Sequence, residues 1–179
     1  MRDRFAPPSR RAAARAALLL GGSLAALAAV PAAAEGPTGG AVARGKATIA
    51  SGEGRTTIRQ GSKRAVIDWK GFDVGKGHTV VFDQPGKASA TLNRVQPTKR
   101  SEIRGAIEAP GTVIIQNTAG VIFTGDARID AGGMVASSQR VDAERFQRDG
   151  RLVIGGGEAA DARVVNEGRI TVGEAGLAA

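Results

Sequence analysis

His78 is the only histidine of the chain, and it stands at the end of a glycine-rich turn, Gly75-Lys76-Gly77-His78. A single imidazole can act as a general base or hold a metal ion, but either task needs partner groups. In this setting it reads as a solvated turn residue. Asp68, Asp73 and Asp83 come next, because clustered carboxylates offer the oxygen ligands that calcium takes. They fall in different predicted strands and turns, and no Asp-rich repeat follows. Arg94 and Arg104 could take a proton only opposite a converging acidic cluster, and nothing in the spacing places them there. The chain has no cysteine, so thiolate chemistry and disulfides are absent, and export would need no oxidative folding step. No catalytic residue, metal ligand or cofactor motif is assigned.

The elements that position these residues are organised around Ile103 to Ser138. Short apolar groups recur there: Val113-Ile114-Ile115, Val121-Ile122-Phe123, Ile129 and Met134-Val135. Gly105, Gly111, Gly120, Gly125 and Gly132-Gly133 separate them. Segments of three to five β-branched residues are too short for helices and read as strands. Single Gly, Asn or Asp corners, in place of two-residue hairpin turns, favour a chain that coils in one direction and stacks its strands in parallel. Aromatic residues make up 3% of the chain and Gly supplies 26 of 179 residues, which suits a slender, repetitive core in one domain. The formal charge of +8 divides equally between residues 1–34 and the remainder. Beyond residue 34 the signs are interspersed, so no nucleic-acid partner is indicated.

The same stretch resembles a known family. A run of the form Gly-x-Ile-x-Ala-x-Gly-x-Val-x-x-x-Asn-x-x-Gly-Val-x-Phe is met by Gly105, Ile107, Ala109, Gly111, Val113, Asn117, Gly120, Val121 and Phe123. A second run is met by Ala127, Ile129, Gly132, Gly133, Val135, Ala136 and Ser137. Earlier, Ile67, Asp68, Trp69, Phe72, Val74, Gly75, Val80, Phe82, Gln84 and Pro85 match a further pattern, as does Leu92-Asn93-Arg94-Val95. These runs are similar to the haemagglutination-activity domain of filamentous-haemagglutinin-type exoproteins, the cargo of two-partner secretion. One departure stands out: the family's usual Asn-Pro-Asn-Gly is Asn117-Thr118-Ala119-Gly120 here.

The resemblance implies an all-β fold, a right-handed parallel β-helix over residues 46–172 with an N-terminal β cap and small extra-helical β elements. At roughly 20 residues per coil this gives on the order of six coils. Trp69, Phe72 and Phe82 are expected to close the open end, with an aromatic carbohydrate platform as the alternative. Ala47–Ala50 and Arg55–Gln60 are predicted as a hairpin around Ser51–Gly54, and Ala88–Val95 as a strand buried on one face. Val141–Phe146 is predicted to form one helical turn anchored by Phe146.

Residues 1–34 read as a signal peptide. Arg2, Arg4, Arg10, Arg11 and Arg15 precede an apolar run, Ala16–Val30, and Pro31-Ala32-Ala33-Ala34 offers a small-residue cleavage site. The apolar run is short for a membrane span. Ala12–Ala14 follow the paired arginines where a twin-arginine motif has bulky residues, which favours the general pathway. Residues 35–45 are expected as a Gly-rich linker. Residues 173–179 are expected as an uncapped tail of a truncated or fragmentary exoprotein.

By resemblance, the function is secretion targeting. An Omp85-type outer-membrane transporter would recognise the unfolded chain in the periplasm, and the domain would fold as a monomer at the surface of a Gram-negative bacterium. The alternatives are an adhesin or haemagglutinin that binds host or neighbouring-cell surface ligands, and a β-helix polysaccharide lyase. Asn117, Gly120, Asn93 and Arg94 are the candidate recognition residues. Asn117 can equally stack or turn at a corner, and Gly120 can be a turn alone, so recognition and structural readings stand side by side.

Overall fold

The computed structural model describes residues 35–156, 162–173 and 178–179. The export signal expected at residues 1–34 lies outside the described residues.

The predicted hairpin is present. β2 (Ala47–Gly52) and β3 (Arg55–Gln60) pair antiparallel, from Ala47↔Gln60 to Gly52↔Arg55. From β3 onward the chain coils, and its strands stack in parallel on three faces. The first face holds β3, β5 (Thr79–Asp83), the start of β8 (Ala106–Asn117), the start of β10 (Arg128–Ser137) and β12 (Arg169–Val172). The second holds β4 (Arg64–Trp69), β6 (Ala90–Val95) and the ends of β8 and β10. The third holds β7 (Ser101–Ile103), β9 (Val121–Phe123) and β11 (Val164–Asn166), with Val74 bridged to Ile103. This is a parallel β-solenoid of about three turns. Alternation along the strands sends Ile67, Val80, Ile107, Val113, Ile115 and Phe123 into one dry interior.

Two expectations about chain usage are corrected. Strands within 103–138 are not all short, since β8 has 12 residues and β10 has 10. Gly111 and Gly132 bend these strands between faces without ending them. A Cβ at Gly132 would collide with Pro110 O, and one at Gly111 with Ser89 O. Glycine is needed there because stacked corners approach through their backbones. The six coils become about three turns. The register partners Thr79, Ala106 and Arg128 are 27 and then 22 positions apart. From Arg128 to Arg169 the turn takes 41 positions because it carries a helical excursion.

Residues 35–45 are part of the cap and not a free linker. Thr38 bridges Gly71, and β1 (Ala41–Arg44) pairs antiparallel with β4. β1 and β2 thereby occupy the two ends of the large sheet and pair the backbone groups of the first turn. Beneath them Trp69, Phe72 and Phe82 are at most 1% exposed, with Trp69 and Phe72 edge to face at 5.4 Å. Such burial fits a capping core and leaves no aromatic platform for a sugar. His78 is likewise not a solvated turn residue. It is 3% exposed, its Nε2 lies 3.0 Å from Thr56 Oγ1, and Gly36 lies against its ring. Residues 35–38 fold back over it, fixed by the Gly75 N–H donating to Glu35 O at 2.7 Å.

The excursion forms α1 (Ala143–Asp149), a little longer than the predicted turn and anchored by buried Phe146. Asp142 caps its start by accepting from the Glu144 and Arg145 N–H groups. Gly150 ends it at φ +80. Beyond β12, Gly173 donates to Ala131 O and Ala179 to Met134 O, so the described residues of the tail expected to be uncapped lie along β10.

Candidate functional site

The candidate residues occupy one side of the solenoid, where the second face turns into the third. Asn117 ends β8 and is fully buried. Its Nδ2 donates to Lys99 O at 2.9 Å and to Ser101 Oγ at 3.0 Å, and its Oδ1 accepts the Ala119 N–H at 2.9 Å. The Gly120 N–H then donates to Asn117 O at 2.8 Å, closing a β-turn. Gly120 sits at φ +109, and a Cβ there would stand 2.9 Å from Arg163 O on the next turn. Only glycine meets both demands without strain.

Asn93 lies on β6, facing inward between its register partners Ile67 and Ile115. It accepts from the Trp69 Nε1–H at 3.0 Å and donates to Ile114 O at 3.1 Å. One buried amide therefore ties three successive turns together. Its neighbour Arg94 points outward and grips Asp68 with two hydrogen bonds, Nε at 2.7 Å and Nη2 at 2.8 Å. Asp68, Arg94, Gln116 and Ser137 form one register row along the outer face. Gln116 continues the row's bonding by accepting the Val141 N–H. Beside this row lies an open groove of about 440 Å³, lined by Asp68, Arg94, Gln116, Thr118 and Arg140.

Three of the four sequence candidates, Asn93, Asn117 and Gly120, are thus buried, and Arg94 alone presents part of its side chain to solvent. The other acidic candidates do not converge. Asp73 pairs with Lys99, whose pKa is raised by that hydrogen bond and by the carboxylate's charge. Asp83 lies 3.7 Å from Arg59. Among the described residues no three His, Asp or Glu side chains are grouped to hold a metal ion.

Sequence reasoning missed a second buried polar group. Thr91 Oγ1 donates to Gln60 Oε1 and accepts from Gln84 Nε2, and Gln84 Oε1 accepts the Gly111 N–H. Gln84 carried a signal through its Gln-Pro pair, whereas Gln60 and Thr91 carried none.

The arrangement is a ladder of satisfied polar side chains joining consecutive turns, with no convergent reactive groups among the described residues. Residues 33–179 match the model of the TPS secretion domain, the two-partner secretion domain. The chain belongs to this family. The TPS domain here is also similar to the HMW1 secretion domain from Haemophilus influenzae, with a TM-score of 0.66 and 30% identity. That match covers 76% of this chain and 37% of the other. Two Haemophilus influenzae proteins named heme/hemopexin-binding protein are 37% and 34% identical to it over 114 and 139 residues. These alignments cover 64% and 75% of this chain but only 12% and 15% of the relatives. The TPS domain is the targeting domain of a two-partner secretion exoprotein.

Proposed function

We propose that this TPS domain is read by its transporter as an unfolded chain and becomes unreadable once folded. A signal peptide at residues 1–34 would bring it to the periplasm. There an Omp85-type outer-membrane transporter recognises it, and the chain folds outside, at the cell surface of a Gram-negative bacterium, as the first part of a filamentous-haemagglutinin-type exoprotein. The supporting observation is the burial of Asn117, with every polar group of its side chain bonded inside the fold. A partner cannot reach those groups in the folded state. If Asn117, Gly120 and Asn93 carry the address, they carry it before folding.

The energetics agree with that order. Each turn that stacks buries apolar side chains on the turn before, so folding outside the barrel can draw the chain forward. The absence of cysteine leaves no crosslink to obstruct threading.

Immobilised periplasmic domains of the cognate transporter test the proposal. A variant held unfolded by Ile115→Asp should bind, and the refolded native domain should not. Equal binding by folded and unfolded chains would overturn it.

A further inference from the structure

The outer side of the second face carries a second register row, and it is apolar. Val66, Leu92, Ile114 and Val135 stand side by side on β4, β6, β8 and β10, one from each successive strand of that face. They point away from the solenoid interior, yet none is more than 4% exposed. Val141, Ala143 and Phe146 cover them, all from the excursion that contains α1. The same excursion is tied to the beginning of the fold by polar contacts. Arg64 donates through Nε to Gln147 O and through Nη2 to Arg148 O, both at 3.0 Å, filling carbonyls in the last turn of α1. Arg44 on the cap strand β1 meets Glu144 at 3.1 Å, across 100 positions of sequence. Gln116 accepts from Val141 N.

We infer that residues 139–155 form a latch, docking as a step separate from coil stacking and tying the four stacked strands of the second face to the N-terminal cap. A seven-residue helix does not hold its shape alone, so α1 exists only when docked. The coil interior has no such dependence, because the side chains that form it and pack against it lie between β2 and β12 and include none from residues 139–155. The solenoid can therefore stack with the latch open, exposing an apolar stripe across four stacked strands. Closure requires Arg44, Arg64 and Phe146 to be on the same side of the membrane. Within the secretion reading above, on which this last point rests, a closed latch marks a domain that has fully emerged.

Hydrogen exchange on the full chain, without any transporter, tests the latch independently of that reading. Phe146→Ala should speed exchange at the Asp142 and Gly150 amides about a hundredfold, leaving Val80, Ile107 and Ile115 close to native rates. Arg64→Gln keeps the apolar row and should give about a tenfold effect at the same two amides. Binding of an apolar dye should rise in Phe146→Ala with strand content unchanged. If either variant accelerates exchange by one common factor throughout, α1 is an integral part of a single cooperative unit and there is no latch. Unchanged exchange at Asp142 and Gly150 in both variants would equally overturn the inference.

Discussion

Asn93 on the second turn accepts the indole N–H of Trp69 on the first at 3.0 Å, while its own amide donates to Ile114 O on the third. Asn93→Leu would leave the buried Trp69 indole N–H unpaired, at about 1–3 kcal/mol. The loss should appear as a lower denaturant midpoint. Trp69 is the only tryptophan, so its fluorescence should report loosening at this point directly. An unshifted midpoint with native fluorescence would mean that the amide is dispensable.

Asn117→Ala removes three hydrogen bonds at a fully buried corner and should cost about 2–4 kcal/mol. Thr118→Ala, at the partly exposed next position, should stay within about 0.5 kcal/mol of native. The secreted fraction and the denaturant midpoint are to be measured together for each variant. Secretion lost well beyond the loss of stability assigns Asn117 to recognition. Secretion that simply tracks stability assigns it to the fold.

Gly120→Ala places a Cβ 2.9 Å from Arg163 O at φ +109, a conformation that L side chains rarely adopt. The cost should be on the order of 1–3 kcal/mol. Exchange should rise first at the Val121 amide, which donates to Arg163 O across the same contact. Full protection there would show that the corner relaxes freely.

Two exposed charges set opposite pH limits. The Arg145 and Glu144 N–H groups hold the Asp142 carboxyl below the usual carboxylate range. Its contribution to capping α1 is complete above about pH 4 and is lost as pH falls through the lowered value. Lys99 is raised by Asp73, so its contribution is complete below about pH 10 and is lost as pH climbs through the raised value. Protection of the Gly150 amide, taken relative to its intrinsic exchange rate, should therefore fall in acid before that of the interior, and Asp142→Asn should flatten that dependence.

Replacing Leu18, Leu19 and Leu20 with charged residues should leave an uncleaved cytoplasmic precursor, because the apolar run could no longer partition out of water. Normal processing of that variant would remove the signal-peptide reading.

Much of the fold was legible because a solenoid repeats local rules. The alternation in Val113-Ile114-Ile115 sets which side chains turn inward, and the glycine spacing sets where corners fall. The hairpin and the Phe146 anchor were legible for the same local reasons. What sequence alone could not decide depends on neighbours far along the chain. Ile114 faces outward yet is buried because α1 covers it, and His78 is buried because residues 35–38 fold back over its turn. Gly132 looked like a strand break, but stacking beside Gly111 makes it a bend inside a longer strand. Asn117 was visible as a motif residue, and whether its amide faced water or the interior was not. Only the tertiary structure gives that amide Lys99 O, Ser101 Oγ and the Ala119 N–H as partners, since a buried polar group is defined by the turns stacked around it.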